Sequence, residues 1–221
     1  MTPLILGLKD LFTLKGMGIA LFPFFLMLFA FAGELYLAGE WLIPWIIALV
    51  DTGSAWAQGG IETVTYIAVF GIGLLLNLFI ALALIGQFFT GTLIAMINKR
   101  HYQKQIQGFD TVAGGLANTV KGFKKAAFWL LPALLLTWVP LLGPLLWLVP
   151  GYRLFAVTVP FDIGSQIMSR SRYDTLVASQ RLSLTGWTTL LYLLTLVPIA
   201  GLFVPVLAYL VLGHYFLRHL D

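Results

Sequence analysis

Chemistry needs side chains that can be brought together, and this sequence offers few obvious sets. His101, His214 and His219 are its three histidines; none has a second histidine four residues on, and no zinc-binding spacing occurs. Cysteine is absent, which removes disulfides, thiolate metal sites and cysteine nucleophiles. The acidic residues are scattered singly, so no paired-carboxylate site for acid–base work is visible. Gly71-Ile72-Gly73 lies inside an apolar run and does not read as a phosphate loop. His214 and His219, at the tail of the last apolar block, read as interfacial side chains. No enzyme, no cofactor and no metal site is expected.

Three other groups of residues could act on a small ion. Lys15, Gly16, Met17 and Gly18 stand where an apolar helix begins, so backbone N–H groups and an ammonium could together hold an oxyanion. The plainer reading is a loop whose lysine marks the membrane boundary. Asn77, Ala81, Gly91, Ala95 and Asn98 fall within about 40° of one another at 100° per residue. Such a small and polar stripe lines a pore or packs closely against a neighbouring helix. Asp162 follows an apolar run and Pro160, with Arg153 upstream and Arg170 and Arg172 downstream. Arg153 and Asp162 are therefore expected as a gating pair or a structural ion pair.

The elements that must position these groups are membrane helices. Of the 221 residues, 60% are hydrophobic and only 10% are charged, against about 25% charged in a soluble domain. Too little polar surface remains to coat a soluble particle. The expected fold is an all-α integral membrane protein in a single domain. A bilayer core of about 30 Å needs about 20 apolar residues, which predicts a first transmembrane helix at 17–38 and a second at 66–97. An uncleaved anchor is favoured over a signal peptide for the first. Two further apolar blocks, 126–152 and 187–213, are each interrupted in the middle, by Pro140-Leu-Leu-Gly-Pro144 and by Pro198-Ile-Ala-Gly201 with Pro205 beyond. Proline and glycine together break a helix and permit reversal.

Charge decides how those blocks lie. Lys and Arg concentrate on the cytoplasmic side of short loops. Residues 34–65 carry no Lys or Arg but hold Glu34, Glu40, Asp51 and Glu62, so the connection 39–65 is expected outside. Lys9 and Lys15 lie before the first helix, and Lys99, Arg100, Lys104, Lys121, Lys124 and Lys125 come after the second, in a cytoplasmic segment at 98–125. If both broken blocks crossed fully, Arg153, Arg170, Arg172 and Arg181 in segment 153–186 would face outward. If both enter and return as re-entrant helical hairpins, all 13 basic residues stay inside. The hairpin arrangement explains both breaks and charges, and it implies an oligomer or a pore because lipid cannot satisfy irregular backbone. Asp110-Thr111 and Asp174 are expected to cap two amphipathic helices that lie against the lipid head groups.

The order of motifs resembles the CysZ sulfate permeases and the wider etoposide-induced-protein domain family. The resemblance rests on Gly7-Leu8-Lys9, Gly16 and Phe22-Pro23 before the first span, and on Phe88-Phe89-Thr90 in the second. It continues through Lys121–Lys125, Trp129-Leu-Leu-Pro132, Pro140-x-x-Gly143, Val159-Pro160-Phe161-Asp162, Arg181, and Val197-Pro198 to Pro205. It implies two long transmembrane helices with two hemi-penetrating hairpins, oligomerisation, and passage of sulfate. Two features depart from the family. Its loop before the first span carries paired arginines that hold sulfate, where this chain has Lys15-Gly16-Met17-Gly18-Ile19. Its Pro-Phe and acidic residue after the second span are replaced by Ile94–Lys99.

Composition, charge and resemblance together describe a multi-pass protein of the bacterial cytoplasmic membrane with a cytoplasmic N-terminus. It would be a homo-oligomeric permease or channel-like conduit for a small inorganic anion, sulfate or a related oxyanion, with no nucleic-acid partner. The alternative is a non-transporting membrane protein of envelope assembly or lipid homeostasis that acts through protein contacts.

Overall fold

Thr13 turns the chain between its first two helices: its hydroxyl donates to the Asp10 carbonyl at 2.7 Å and accepts the Gly16 N–H at 3.0 Å. That serves the orphan donors of the helix after it, as an N-cap should. The computed structural model describes residues 2–49, 55–109, 112–139, 142–197 and 200–220, and among these all regular structure is helical. Helix α1 (Pro3–Leu11) is short; α2 (Leu14–Leu37) passes through a π-helical turn at Ala38–Leu42 into α3 (Ile43–Leu49). The widened turn comes just before Pro44, whose ring and missing N–H disrupt a regular turn. A second long helix runs through α4 (Ala55–Leu84), a π turn at Ile85–Phe89 and α5 (Thr90–Ile97), and closes in a further π turn at Asn98–Tyr102. Thr90 Oγ1 donates to the Ile85 carbonyl at 3.0 Å, satisfying backbone that the π turn displaces.

Leu14–Leu49 and Gln58–Leu84 are each long and apolar enough to cross a bilayer. Their most apolar windows are only 19% and 28% buried within the chain, so most of that surface faces outward. Phe22, Phe25, Phe29, Tyr36, Trp41 and Trp45 are exposed on the first of them. An apolar exterior of this size belongs against lipid or another subunit, not water.

The second long helix ends at Gln103, in the left-handed region with φ 53°. The Asn98 side chain brackets that reversal, with Nδ2 donating to the Lys104 carbonyl and Oδ1 accepting the Lys104 N–H. Residues 103–109 then run extended along the end of α7 (Leu142–Ile167), where Gln107 and Phe109 donate to the carbonyls of Ile167 and Ser165.

Helix α6 (Val112–Leu135) pairs antiparallel with α7. Asn118 reaches the Val157 carbonyl, Gly122 lies against Thr158 and Leu154, Arg153 sits over the Trp129 ring, and Trp147 donates to Thr137. The chain thus reverses where proline and glycine predicted it, at the turn after Leu135, although Pro140 and Leu141 lie outside the described residues. Helix α7 runs parallel to the second long helix: Gly71 meets Trp147, Gly86 meets Asp162 and Gly91 approaches Gln166.

Helices α8 (Arg170–Ser179) and α9 (Arg181–Leu194) lead to a turn at 195–197 and then to α10 (Ala200–Arg218); Pro198 and Ile199 lie outside the described residues. From Val204 to Leu217, α10 is almost wholly buried, packed by α1, α5, α7 and α9. A helix apolar on every face is a core helix, and α10 is the core of this molecule. Gly7 of α1 lies directly on Val211, so α1 and α10 run side by side.

Several expected boundaries move. The connection 39–65 is helical over 39–49 and 55–65, because its Trp-, Ile- and Leu-rich flanks extend both long helices and Glu40 and Glu62 sit on helix surface. The segment 98–125 divides into a π turn, the extended strap and the first half of α6. The α6–α7 arms reach well past 126–152, and α7 continues through Arg153, whose guanidinium lies over the Trp129 ring. Asp174 is not a cap. It lies inside α8, ion-paired with Arg170 one turn back at 3.0 Å, and Ser169 takes the cap position. Asp110 and Thr111 lie outside the described residues.

Gly71 permits the close approach of α7 to the second long helix, since a Cβ there would sit 2.6 Å from the Trp147 ring. Gly71→Val should lower stability by about 1–3 kcal/mol, the usual cost of overpacking. The check is the thermal midpoint in detergent, with the change Gly18→Ala, which meets open space, expected to be nearly silent.

Candidate functional site

The densest set of ionisable groups lies where α1, α10 and the end of the second long helix converge. Asp10, at the C-terminal end of α1, is fully buried. Arg100 donates to its Oδ1 at 2.9 Å. Its Oδ2 lies 2.9 Å from Nε2 of His214 and 3.1 Å from Nε2 of His101. The Tyr102 hydroxyl is 3.1 Å from Nδ1 of His214 and 3.3 Å from the His214 carbonyl. A buried carboxylate is tolerable only with such partners. Burial pushes the His214 imidazole down to about 4, against the opposing pull of the Asp10 carboxylate, so it is neutral at pH 7.

Sequence spacing hid this cluster. Asp10 is separated from His101 by 91 residues and from His214 by 204. His214 is not interfacial, as its position near the end of an apolar block suggested; it is wholly buried inside the bundle. The only local sign is a lone aspartate and a lone histidine, each shortly after a glycine (Gly7 and Gly213) that lets helices touch.

Lys15, Gly16, Met17 and Gly18 form the first turn of α2, directly beside that cluster. Gly16 is buried because a Cβ would strike the Asp10 carbonyl. Its N–H serves Thr13, and the Met17 N–H bonds to the Thr13 carbonyl at 2.8 Å. Lys15 and Gly18 are exposed at the corner. The glycine therefore fixes the α1–α2 turn, and the exposed lysine stands beside a helix N-terminus two of whose donors are already engaged.

The stripe of five residues does not share one face. Between Ala81 and Gly91 the π turn at Ile85–Phe89 inserts a residue and rotates the helix beyond it by about 100°. Asn77 and Ala81 are buried, Gly91 and Ala95 are exposed, and Asn98 is half-buried and committed to the Lys104 backbone. Asn77 donates to Glu34 at 2.6 Å and to the Gly73 carbonyl at 3.1 Å, which ties the two long helices together inside their apolar lengths.

Arg153 and Asp162 do not form a pair. Nine positions apart on α7, they point to opposite sides of the helix. Arg153 is exposed over Trp129, whereas Asp162 is buried and accepts the Tyr209 hydroxyl at 2.7 Å. Gly86, within the π turn, leaves room for that carboxylate: a Cβ there would collide with it. Asp162 thus joins α7 to α10 and to the second long helix. Tyr209→Phe removes a donor from a buried carboxylate and should cost about 1–3 kcal/mol, read as a lowered thermal midpoint in detergent.

No curated protein and no solved structure matches this chain. A family profile does match, across residues 4–205, from the start of α1 to the first turns of α10. That span takes in both long helices, the α6–α7 hairpin and the buried Asp162, and with it the chain belongs to the family described as Sulfate transporter CysZ/Etoposide-induced protein 2.4.

Proposed function

We propose that the chain is a permease or channel-like conduit for a small inorganic anion, sulfate or a related oxyanion, in the bacterial cytoplasmic membrane. The observation that carries this reading is the family match over residues 4–205, a transporter-type family, on a chain whose two long helices expose apolar surface along most of their length. The two long helices cross the bilayer. The hairpins of α6 with α7 and of α9 with α10 dip in from the cytoplasmic face and return, with the N-terminus also cytoplasmic. Several copies associate, because irregular backbone at membrane depth must be covered by protein or water. Lys15 with the first turn of α2 receives the anion at the entrance, and Gly91 and Ala95, the exposed members of the stripe, contribute to its path in the assembled oligomer.

Charge placement supports the orientation. Arg100, Lys104, Arg170 and Arg172 gather at one end of the bundle, where the α5 terminus, the strap, α8 and the end of α10 meet. A second reading has its own support: the corner at Lys15–Gly18 lacks arginine, and two of its N–H groups are already bonded within the turn. A non-transporting protein of envelope assembly or lipid homeostasis would need neither an arginine nor a free donor there.

Proteoliposomes decide between the two. The conduit should admit radiolabelled sulfate or a related oxyanion above empty liposomes, and equality with empty liposomes across a panel of anions rules it out. Lys15→Ala should weaken anion-dependent thermal stabilisation about fivefold in apparent affinity, as expected for a contact of ~1 kcal/mol at a helix end. Orientation is read separately, with cysteine placed at Ser169 or Ser171, both exposed beside α8. A reagent confined to the periplasm should leave these cysteines unmodified; labelling there overturns the hairpin topology.

A further inference from the structure

We infer that Asp10, His101 and His214 form a binding site for one divalent transition-metal ion, zinc by the chemistry of the donors. The site clamps α1 to α10 and to the end of the second long helix. The three residues offer two imidazole nitrogens and a carboxylate oxygen, all within 4.8 Å of one another. Two nitrogens and one carboxylate oxygen are the donor set of open zinc sites, with a fourth position left to water.

The distances suit an ion in place of hydrogen-bonded protons. Asp10 Oδ2 lies 2.9 Å from the His214 nitrogen and 3.1 Å from the His101 nitrogen. Ligands of a tetrahedral ion bound at about 2.0–2.1 Å stand about 3.3 Å apart, so each imidazole draws back from Oδ2 by a few tenths of an ångström, while the two imidazole nitrogens start within 4.8 Å of each other. Arg100 holds Oδ1 and turns Oδ2 toward both imidazoles. Access exists on one side: the His101 side chain remains 23% exposed, while Asp10 and His214 are sealed.

The surroundings favour either state. Without an ion, each imidazole donates its Nε2 proton to Asp10, and the Tyr102 hydroxyl donates to Nδ1 of His214. With an ion on Nε2, the His214 proton moves to Nδ1 and is accepted by the Tyr102 oxygen, whose own hydrogen turns to the His214 carbonyl 3.3 Å away. A ligating histidine normally has its other ring nitrogen fixed in this manner. Tyr102 therefore acts as a positioning residue and not as a ligand.

The test uses the full chain purified in detergent, stripped with a chelator, and titrated with Zn2+ alone and with Co2+ alone. One equivalent of zinc should bind, the thermal midpoint should rise with free zinc, and cobalt should develop the visible d–d bands of a low-coordinate nitrogen–oxygen site. His101→Gln, on the open side of the cluster, should weaken binding by more than about 100-fold and remove those bands, while Tyr102→Phe should weaken it about 10- to 100-fold. His219→Gln, outside the cluster, should bind as the unaltered chain does. The absence of saturable binding of either metal to the unaltered chain overturns the assignment, as does unchanged affinity in both His101→Gln and Asp10→Asn.

Discussion

Peptide groups that have no water to bond must be satisfied by the chain itself, and the architecture follows from that constraint. It is why the two apolar lengths are single long helices, and why their irregularities are π turns and not breaks. At Pro44 the turn widens before the proline; at Ile85–Phe89 it widens where Asp162 presses in, and the Thr90 hydroxyl takes up the Ile85 carbonyl. True reversals occur elsewhere, at Gln103, after Leu135 and after Leu194, where side chains or short turns supply the missing partners.

The arrangement of polar groups obeys the same rule. Among the described residues, each buried carboxylate has a donor from a distant helix: Asp10 from Arg100, Asp162 from Tyr209. Glu34, only partly shielded, takes Asn77. These three contacts join different pairs of helices, so the polar side chains that apolar helices can least tolerate are also the ones that set helix register. Fully apolar contacts, such as those of Leu210, Val211 and Leu212 in α10, fill the space between them without choosing a register so sharply.

Much of the helical plan was readable in the residues, since long apolar runs and mid-block proline–glycine pairs each act locally. The hairpin of α6 with α7 falls where Pro140 and Gly143 foretold a reversal. The stripe through Asn77 and Asn98 failed because a uniform 100° step assumes an unbroken α-helix, and one inserted residue in a π turn defeats it. The connection at 39–65 failed for a related reason: absence of basic residues speaks of sidedness and says nothing about whether a helix ends. Arg153 and Asp162 looked like partners on charge alone, yet nine helical steps put them back to back. The Asp10 cluster was invisible because its members come from three remote parts of the chain, and each looks ordinary among its own neighbours.

The core helix is encoded near one end of the chain and its closest companion near the other. During synthesis, α1 and both long helices leave the ribosome well before α10, so Asp10 must wait through some two hundred residues of translation before the imidazole of His214 reaches it. Until then it has Arg100 and His101 as partners, and the side that His214 covers stays open to water. The N-terminal helix therefore completes its docking against the bundle only once the final helix has been made.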